Sequence, residues 1–494
     1  TLVFGLLRAG MVIVLVDPGL GKRNMVRCLS EAEPEGFVAV SAAQAARLWW
    51  RKKFSHSRWN VTVGRRWFWG GLTLEELRRL GAQQSPSPLL TRADDSAAII
   101  FTSGSTGAPK GVLYTHRMFD TQVHEIKDAY QIAPGGIDLA CFPLFALFNS
   151  AMGVTTVLPE MDFSRPASAD PKKVVQAAND WEVTQAFASP AVWRVVSNYC
   201  AKTGAWIPSL QQIFSCGAPV TAYVLKSTLA CVADGARMHT PYGATECLPV
   251  ATIEAAEVLS ETAAATDQGH GICLGRKFES IEWRVIRITD EPIATIDEVD
   301  ELSTGEIGEL IVRGPQVSPT YVTRVEANAV AKIGSDSSTE HSVQGTRRDE
   351  HAPFPTPRSP LPPWHRTGDV GYVDDRGRFW YCGRKSQCVV TASGTLYTEC
   401  VEAVVNRDPG VRRSALVGIG PRGQQVPVIV AERSGNRANR GNSSLLESIQ
   451  LQQPTREIQA ILFRHTLPVD IRHNAKINRE YLAAWAARRL PELG

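Results

Sequence analysis

The chain has 494 residues, 44% of them hydrophobic and 21% charged, and a formal net charge of +3. That length exceeds one ordinary core and the composition is that of a folded chain, so two or more packed units are expected and wholesale disorder is excluded. A net charge so small for this length gives no support to nucleic-acid binding as the main activity, which normally shows a concentrated basic footprint.

Taken in order, the chain opens on Thr1 inside a helical pattern (Leu2–Leu7), followed by a strand (Met11–Val16) and an Asp17-Pro18-Gly19 turn. An opening in mid-element is what a fragment lacking an upstream segment would show, so the first domain is expected to be N-terminally truncated. The apolar run Ala9–Val16 is too short to cross a bilayer, which takes ~20 residues, and no charged leader marks a signal peptide. Phe37–Val40 reads as the next strand. Trp49–Trp69 then interleaves Arg51, Lys52, Lys53, Arg58, Arg65 and Arg66 with Trp49, Trp50, Phe54, Trp59, Trp67 and Phe68. Such a stretch is either a peripheral membrane or nucleic-acid contact, or a solvated face with its aromatic rings turned inward.

Ala97–Phe101 reads as a buried strand, and Thr102-Ser103-Gly104-Ser105-Thr106-Gly107-Ala108-Pro109-Lys110-Gly111 follows at once. Its glycines allow a tight turn whose N–H groups converge on an anion, its hydroxyls add rotatable donors, and Lys110 adds positive charge. The GxxxxGK[ST] spacing of a Walker A loop is absent here, and Gly19-Leu20-Gly21-Lys22 lacks it as well. A flexible Ser/Gly linker would explain the small residues but not Pro109-Lys110-Gly111 directly after a core strand.

Further apolar runs (Gly153–Leu158, Gln212–Ser215) alternate with helical patterns to about Tyr381, which predicts α/β layers with largely parallel sheets. Between Ile281 and Val312 the texture turns to alternating β segments, expected as a β-rich subdomain. Gly334–Pro363 is rich in Ser, Pro, His and charge and reads as a surface insertion. After Gly383-Arg384 come strands at Ala415–Gly418 and Val426–Val430, with helices expected around Glu457–Phe463 and Tyr481–Arg489. The expected fold is therefore α/β: a large multi-layered domain over residues 1–382, then a small α+β domain over 383–494. Ten cysteines form no CxxC pair, so free thiols in a reducing cytoplasm are expected rather than a zinc site or disulfides.

The Thr102–Gly111 loop resembles the signature of the adenylate-forming superfamily of acyl-CoA synthetases, peptide-synthetase adenylation domains and luciferases. Supporting segments occur in the same order over essentially the whole chain. They are Ser215-Cys216-Gly217-Ala218-Pro219, Tyr242-Gly243-Ala244-Thr245-Glu246, Gly308-Glu309-Leu310 with Gly314, Thr367-Gly368-Asp369, Gly383-Arg384 and Lys476. The resemblance implies ATP and Mg²⁺, with Thr102–Gly107 and Lys110 on the phosphates. Tyr242 would stack on adenine with Gly217 and Ala218 opposite, and Pro219 and Gly243 would belong to the same nucleotide-binding site. Thr245 would bond the α-phosphate, and Glu246 would hold Mg²⁺. Asp369 and Arg384 would grip the ribose, and Lys476 would reach the forming acyl–phosphate bond. It also implies that 383–494 turns on a hinge between two half-reactions. The sequence departs from the family's pattern at Ala475, where glycine is usual, in a slightly longer Pro468–Lys476 spacing, and in a hinge without the common Asp.

Phe142-Pro143-Leu144-Phe145-Ala146-Leu147-Phe148 carries Ala146 where acyl-CoA synthetases commonly have histidine. With Phe187 and Trp193 this run either lines an acyl pocket or is ordinary core. Leu144–Leu147, Met161–Pro166 and Asp470–Lys476 are similar to the β-lactone synthetases of bacterial long-chain olefin biosynthesis, often labelled fatty-acid–CoA ligases. That branch implies activation of a 2-alkyl-3-hydroxy fatty acid as acyl-AMP and ring closure by its own hydroxyl, in the cytoplasm and beside other enzymes of the same lipid pathway. The alternatives are a long-chain fatty-acid–CoA ligase, which would require CoA, and a nucleotide-binding relic without turnover.

Overall fold

The computed structural model describes residues 2–84, 89–102, 108–142, 145–334, 362–434, 442–469 and 477–491. Ser103–Gly107, Lys476 and nearly all of the expected insertion 334–363 lie outside those residues. Two compact units are distinguished: Thr1–Asp120 with Gln316–Ala329 and Ser335–Pro362, and Thr121–Pro315 with Val330–Gly334 and Pro363–Gly494. Residues 383–494, expected as a separate hinged domain, fall within the second unit.

The first unit holds β1 (Ile13–Leu15), β2 (Gly36–Val40), β3 (Trp59–Val63), β4 (Leu72–Thr73), β5 (Ser96–Phe101) and β6 (Gly111–Thr115). β1 pairs in parallel with β5, and β5 turns back antiparallel into β6. Ile99 and Phe101 bury their side chains with Cys28, Val12, Val14 and Val16, as the unbroken apolar run of β5 requires. β2, β3 and β4 form a second, parallel sheet. The helix Ser41–Trp49 drives Gln44 into that sheet, where its amide donates to the Val61 carbonyl at 3.1 Å.

In the second unit β7 (Ile137–Ala140), β8 (Thr155–Val157), β9 (Gln185–Ala188), β10 (Gln212–Ser215) and β11 (Arg237–His239) form a parallel sheet in the order β11-β10-β9-β7-β8. Side chains alternate across a strand, and one face carries Leu139, Ala186, Ile213 and Met238 into a core shared with the helix Pro190–Thr203. An antiparallel sheet follows, of β12 (Tyr242–Ala244), β13 (Cys247–Thr252), β14 (Ile272–Lys277), β15 (Glu282–Ile286), β16 (Gly308–Arg313), β17 (Lys332–Ile333), β18 (Trp364–Val373) and β19 (Phe379–Arg384). It contains the β-rich stretch expected from Ile281 to Val312.

Past β19 lie the small hairpin β20 (Val389–Val390) and β21 (Thr395–Leu396), then β22 (Val411–Ile419), β23 (Val426–Arg433) and β24 (Ala460–Arg464). The last three form a sheet covered on both faces. Leu416 and Ile429 pack toward Val401, Val405 and Leu445, while Val417 and Val430 pack toward Leu482 and Ala486. The helix expected around Glu457–Phe463 is instead β24, running parallel to β23. Its apolar residues divide with period two: Ile461 and Phe463 join one cluster, Ala460 and Leu462 the other. Both faces are apolar, so the run carried no alternation from which a strand could be read. All ten cysteines are free. Among the described residues no helix is long and apolar enough to cross a membrane.

Candidate active site

In the first unit the described ends of the phosphate loop are drawn together by the β5–β6 hairpin, with Phe101 opposite Gly111. The Thr102 amide donates to the Lys110 carbonyl at 3.0 Å, and the Lys110 amide donates back to Thr102 Oγ1 at 3.1 Å. One step on, the Gly111 amide donates to Thr323 Oγ1 at 2.8 Å. Lys110 Nζ stands 4.7 Å from the centre of the Tyr321 ring, within cation–π range. Thr102 and Lys110 are thus held at the mouth of a loop that leaves a core sheet at both ends.

In the second unit three residues from widely separated segments meet. The Tyr242 hydroxyl donates to Asp369 Oδ2, and Arg384 NH1 lies 3.1 Å from Asp369 Oδ1. Arg384 NH1 also donates to the Thr367 carbonyl at 2.7 Å. Adjacent strands make the meeting possible, since Asp369 on β18 is registered directly opposite Arg384 on β19. Gly368 holds φ at +70°, and the Asp369 amide donates to Thr367 Oγ1 at 3.0 Å, which shapes the Thr-Gly-Asp turn. Burial, reinforced by the Asp369 carboxylate, pushes the Tyr242 phenol well above its ordinary value, so it stays a donor. The same carboxylate raises the Arg384 guanidinium, and Glu246 contributes to that field.

Thr245 and Glu246 occupy the turn between β12 and β13, both half-buried. Gly243 and Gly217 are exposed, as is Pro219, while Ala218 is half-buried. No group of three or more His, Cys, Asp or Glu among the described residues could hold a metal by itself. The half-buried Glu246 carboxylate offers oxygen donors of the kind a hard ion such as Mg²⁺ takes together with nucleotide phosphates.

Phe145 and Phe187 are brought together with ring centres 4.4 Å apart, and Phe142 and Phe148 flank Phe145. Trp193 is set apart from them. It belongs to the core on the opposite face of the parallel sheet, fully buried, with its indole N–H donating to the Phe214 carbonyl at 3.2 Å. Helical spacing explains this, because Trp193, Val196 and Cys200 form the inward stripe of their helix.

Several further residues shape the site although no role was read for them in the sequence. Arg366 and Glu309 form a buried pair with NH2 and Oε2 2.6 Å apart, and Lys385 Nζ joins Glu309 at 3.3 Å and the Thr289 carbonyl at 2.9 Å. The residue after Arg384 is therefore fastened to the antiparallel sheet. Gly383 holds φ at +144°, and an added Cβ would lie 2.3 Å from Thr398 Oγ1, so no other residue fits there unaltered. At the far end of the chain Arg479 grips Glu402 through both carboxylate oxygens. Glu309 and Gly383 lie in the segments Gly308-Glu309-Leu310 and Gly383-Arg384, and Arg479 is signalled only by its place three residues beyond Lys476.

Residues 1–322 match the model of the family described as AMP-binding enzyme. The chain is 45% identical to a protein of Stenotrophomonas maltophilia (strain K279a) named olefin beta-lactone synthetase, over 99% of this chain and 84% of that one. A protein of the same name from Xanthomonas campestris pv. campestris matches with the same identity and coverage. Among solved structures, the O-succinylbenzoate coenzyme A synthetase of Bacillus subtilis, in complex with ATP and magnesium ion, superposes with a TM-score of 0.68. That likeness, at 19% identity, covers 97% of this chain and 85% of the other, and it speaks for the fold alone.

Proposed function

The chain belongs to the AMP-binding enzyme family, and from that premise we propose that it activates a long-chain 2-alkyl-3-hydroxy fatty acid with ATP and closes it to a β-lactone. The observation that carries this reading is the 45% identity, spread over 99% of the chain, with proteins named olefin beta-lactone synthetase. The geometry supports its first half, because Tyr242, Asp369 and Arg384 meet at one polar centre suited to a nucleoside.

In this reading Asp369 accepts the ribose hydroxyls while Arg384 neutralises it, and the Tyr242 ring offers a flat face to adenine. The Thr102–Gly111 loop and Lys110 take the phosphates. The substrate carboxylate attacks the α-phosphorus and pyrophosphate leaves; Lys476 and Thr245 offset the charge that moves onto the oxygens. Mg²⁺ held by Glu246 would add Lewis-acid stabilisation of those phosphates when bound. The 3-hydroxyl of the same molecule then attacks the acyl carbonyl. Tethering gives that attack a large effective concentration, and no CoA is consumed.

The test is product analysis of a 2-alkyl-3-hydroxy acid with ATP, with and without CoA. A β-lactone formed equally in both is expected. A thioester formed only with CoA would move the chain to the acyl-CoA ligases, and no pyrophosphate exchange with any fatty or 3-hydroxy acid would make it a nucleotide-binding relic.

The reading also accommodates a lipid surface at Trp49–Trp69 in a cytoplasmic enzyme. There Phe54 and Trp69 turn inward, but Trp49, Trp59 and Phe68 are 85%, 72% and 82% exposed. Registry places Val38 and Val40 on the same outer sheet face as Trp59, all exposed, and the stretch contains six Lys and Arg but no acid. Flotation with vesicles rich in anionic lipid is expected, and is expected to fail when the six basic residues become glutamine. Flotation unchanged by that replacement removes the idea.

A further inference from the structure

The parallel sheet of the second unit carries a row of side chains that the nucleotide site does not use. Ala140, Phe187, Phe214 and His239 are registered opposite one another on four adjacent strands, so all four point to one face. Their neighbours Leu139, Ala186, Ile213 and Met238 fill the core on the other face. The row lies near the carboxyl ends of the strands, where open α/β sheets bind their ligands. Phe145 covers Phe187, with ring centres 4.4 Å apart. Tyr130 covers both Phe214 and His239 at 4.8 Å, its hydroxyl donating to Thr252 Oγ1 at 2.9 Å.

His239 ends this aromatic row, and three residues later comes Tyr242. His239 is only 5% exposed, and its Nε2 has no hydrogen-bond partner among the described residues. A buried ring nitrogen without a partner is unusual and calls for an explanation, such as a ligand group that completes it. Two charged groups lie near. Glu254 is engaged by Arg237, with NH2 and Oε2 2.8 Å apart, so it does not provide His239 with a counter-ion of its own. Burial dominates, with Arg237 acting in the same direction and Glu254 against it, and the imidazole is held down at about 4. At neutral pH the ring is therefore uncharged and Nε2 can accept a proton.

Resting on the β-lactone reading, we propose that His239 is the base that takes the proton from the substrate's 3-hydroxyl during ring closure. The hydroxyl oxygen forms the new bond to the acyl carbonyl carbon. Its proton passes to Nε2, the bond between that carbon and the AMP oxygen breaks, and AMP leaves with the electron pair. The positive charge on the ring is offset by the negative charge that AMP takes on, so proton affinity rises as the reaction needs it. Adenylation requires no such base, since its nucleophile is already a carboxylate. The effect of His239 is thereby confined to the second half-reaction, which a purely structural role would not be.

The experiment compares wild type with His239→Asn and His239→Gln in the full chain, using a 2-alkyl-3-hydroxy acid. Pyrophosphate exchange reports the first half-reaction and single-turnover lactone release from accumulated acyl-AMP the second. Exchange is expected to change at most a few-fold and lactone release to fall by roughly 10²–10⁴, the range for losing a general base. Wild-type lactone release should also decline in acid as His239 protonates, an inflection the variants lack. Lactone release at the wild-type rate in either variant overturns the proposal, as does equal loss of both half-reactions in a variant that melts like wild type. If one variant does not fold, the other decides. If neither folds, wild-type lactone release without an acid inflection overturns it. A wild type that exchanges pyrophosphate but forms no lactone would instead sink the reading on which the proposal rests.

Discussion

Replacing Asp369 with alanine is expected to reduce carboxylate-dependent pyrophosphate exchange by roughly 10²–10³, with a parallel loss of ATP affinity. The carboxylate's partners in the structure include the Tyr242 hydroxyl and the Arg384 guanidinium, and in the proposed complex it also receives the ribose hydroxyls. Hydrogen bonds to a charged group contribute about 1.5–3 kcal/mol each, and removing one side of a buried set leaves the others unsatisfied. Alanine loses the ribose contact and strands Arg384, whose raised proton affinity is owed first to Asp369. Asp369→Asn keeps the shape without the charge and should fall between, at about tenfold. Tyr242→Phe, which keeps the flat ring and loses only the hydroxyl, should cost no more than several-fold. Exchange assays and calorimetric ATP titration on these three variants check the ranking. Full exchange in Asp369→Ala would remove Asp369 from the nucleotide site.

What the sequence made legible follows from the kind of signal each residue carried. β5 and the loop after it could be read because an apolar run ends abruptly in glycines, hydroxyls and a lysine, all within sixteen residues. Asp369 and Arg384 could be named as partners through family likeness alone; their contact depends on a strand register that local pattern does not encode. The same limit hid the row Phe187–Phe214–His239, whose members lie 27 and 25 positions apart and become neighbours only through parallel pairing. Trp193 was grouped with Phe145 and Phe187 on aromatic character, but helical phase turned it to the other face of the sheet. β24 escaped because a strand buried on both faces has no polar alternation to reveal it. The buried ions Arg366 and Glu402 were invisible for a similar reason: a charged letter in a sequence reads as surface until its partner is located.

Glu402 gives the second large effect. It sits on the helix Thr398–Asn406 and receives Arg479 through both oxygens, along with the Leu416 amide at 2.7 Å. Arg479 in turn donates to the Leu416 carbonyl at 3.2 Å and to Gln387 Oε1 at 3.3 Å, just past Lys385. The segment carrying Lys476 is closed at its described ends by a bridge between Val469 and Ile477 and by the Asn478 amide donating to the Pro468 carbonyl at 2.9 Å. Ahead of that closure the Leu467 amide donates to buried Glu432, and beyond it stands Arg479. Two buried carboxylates thus fasten the two sides of the lysine-bearing segment. Glu402→Ala leaves the buried Arg479 charge without the carboxylate that grips it, with Glu399 as its remaining acidic neighbour, and a loss of up to about 3–5 kcal/mol of stability is expected. Pyrophosphate exchange per folded molecule should approach the floor set by Lys476→Ala. Arg479→Lys keeps the charge without the fork and should land between, and Glu402→Ala/Arg479→Met should lose less stability than the two single losses summed. Melting curves and exchange at a temperature well below the lowered midpoint separate the two effects. Lost stability with undiminished exchange would make the pair a strut of the small module and nothing more. Loss of both would mean that the lysine acts only when its segment is held from both sides.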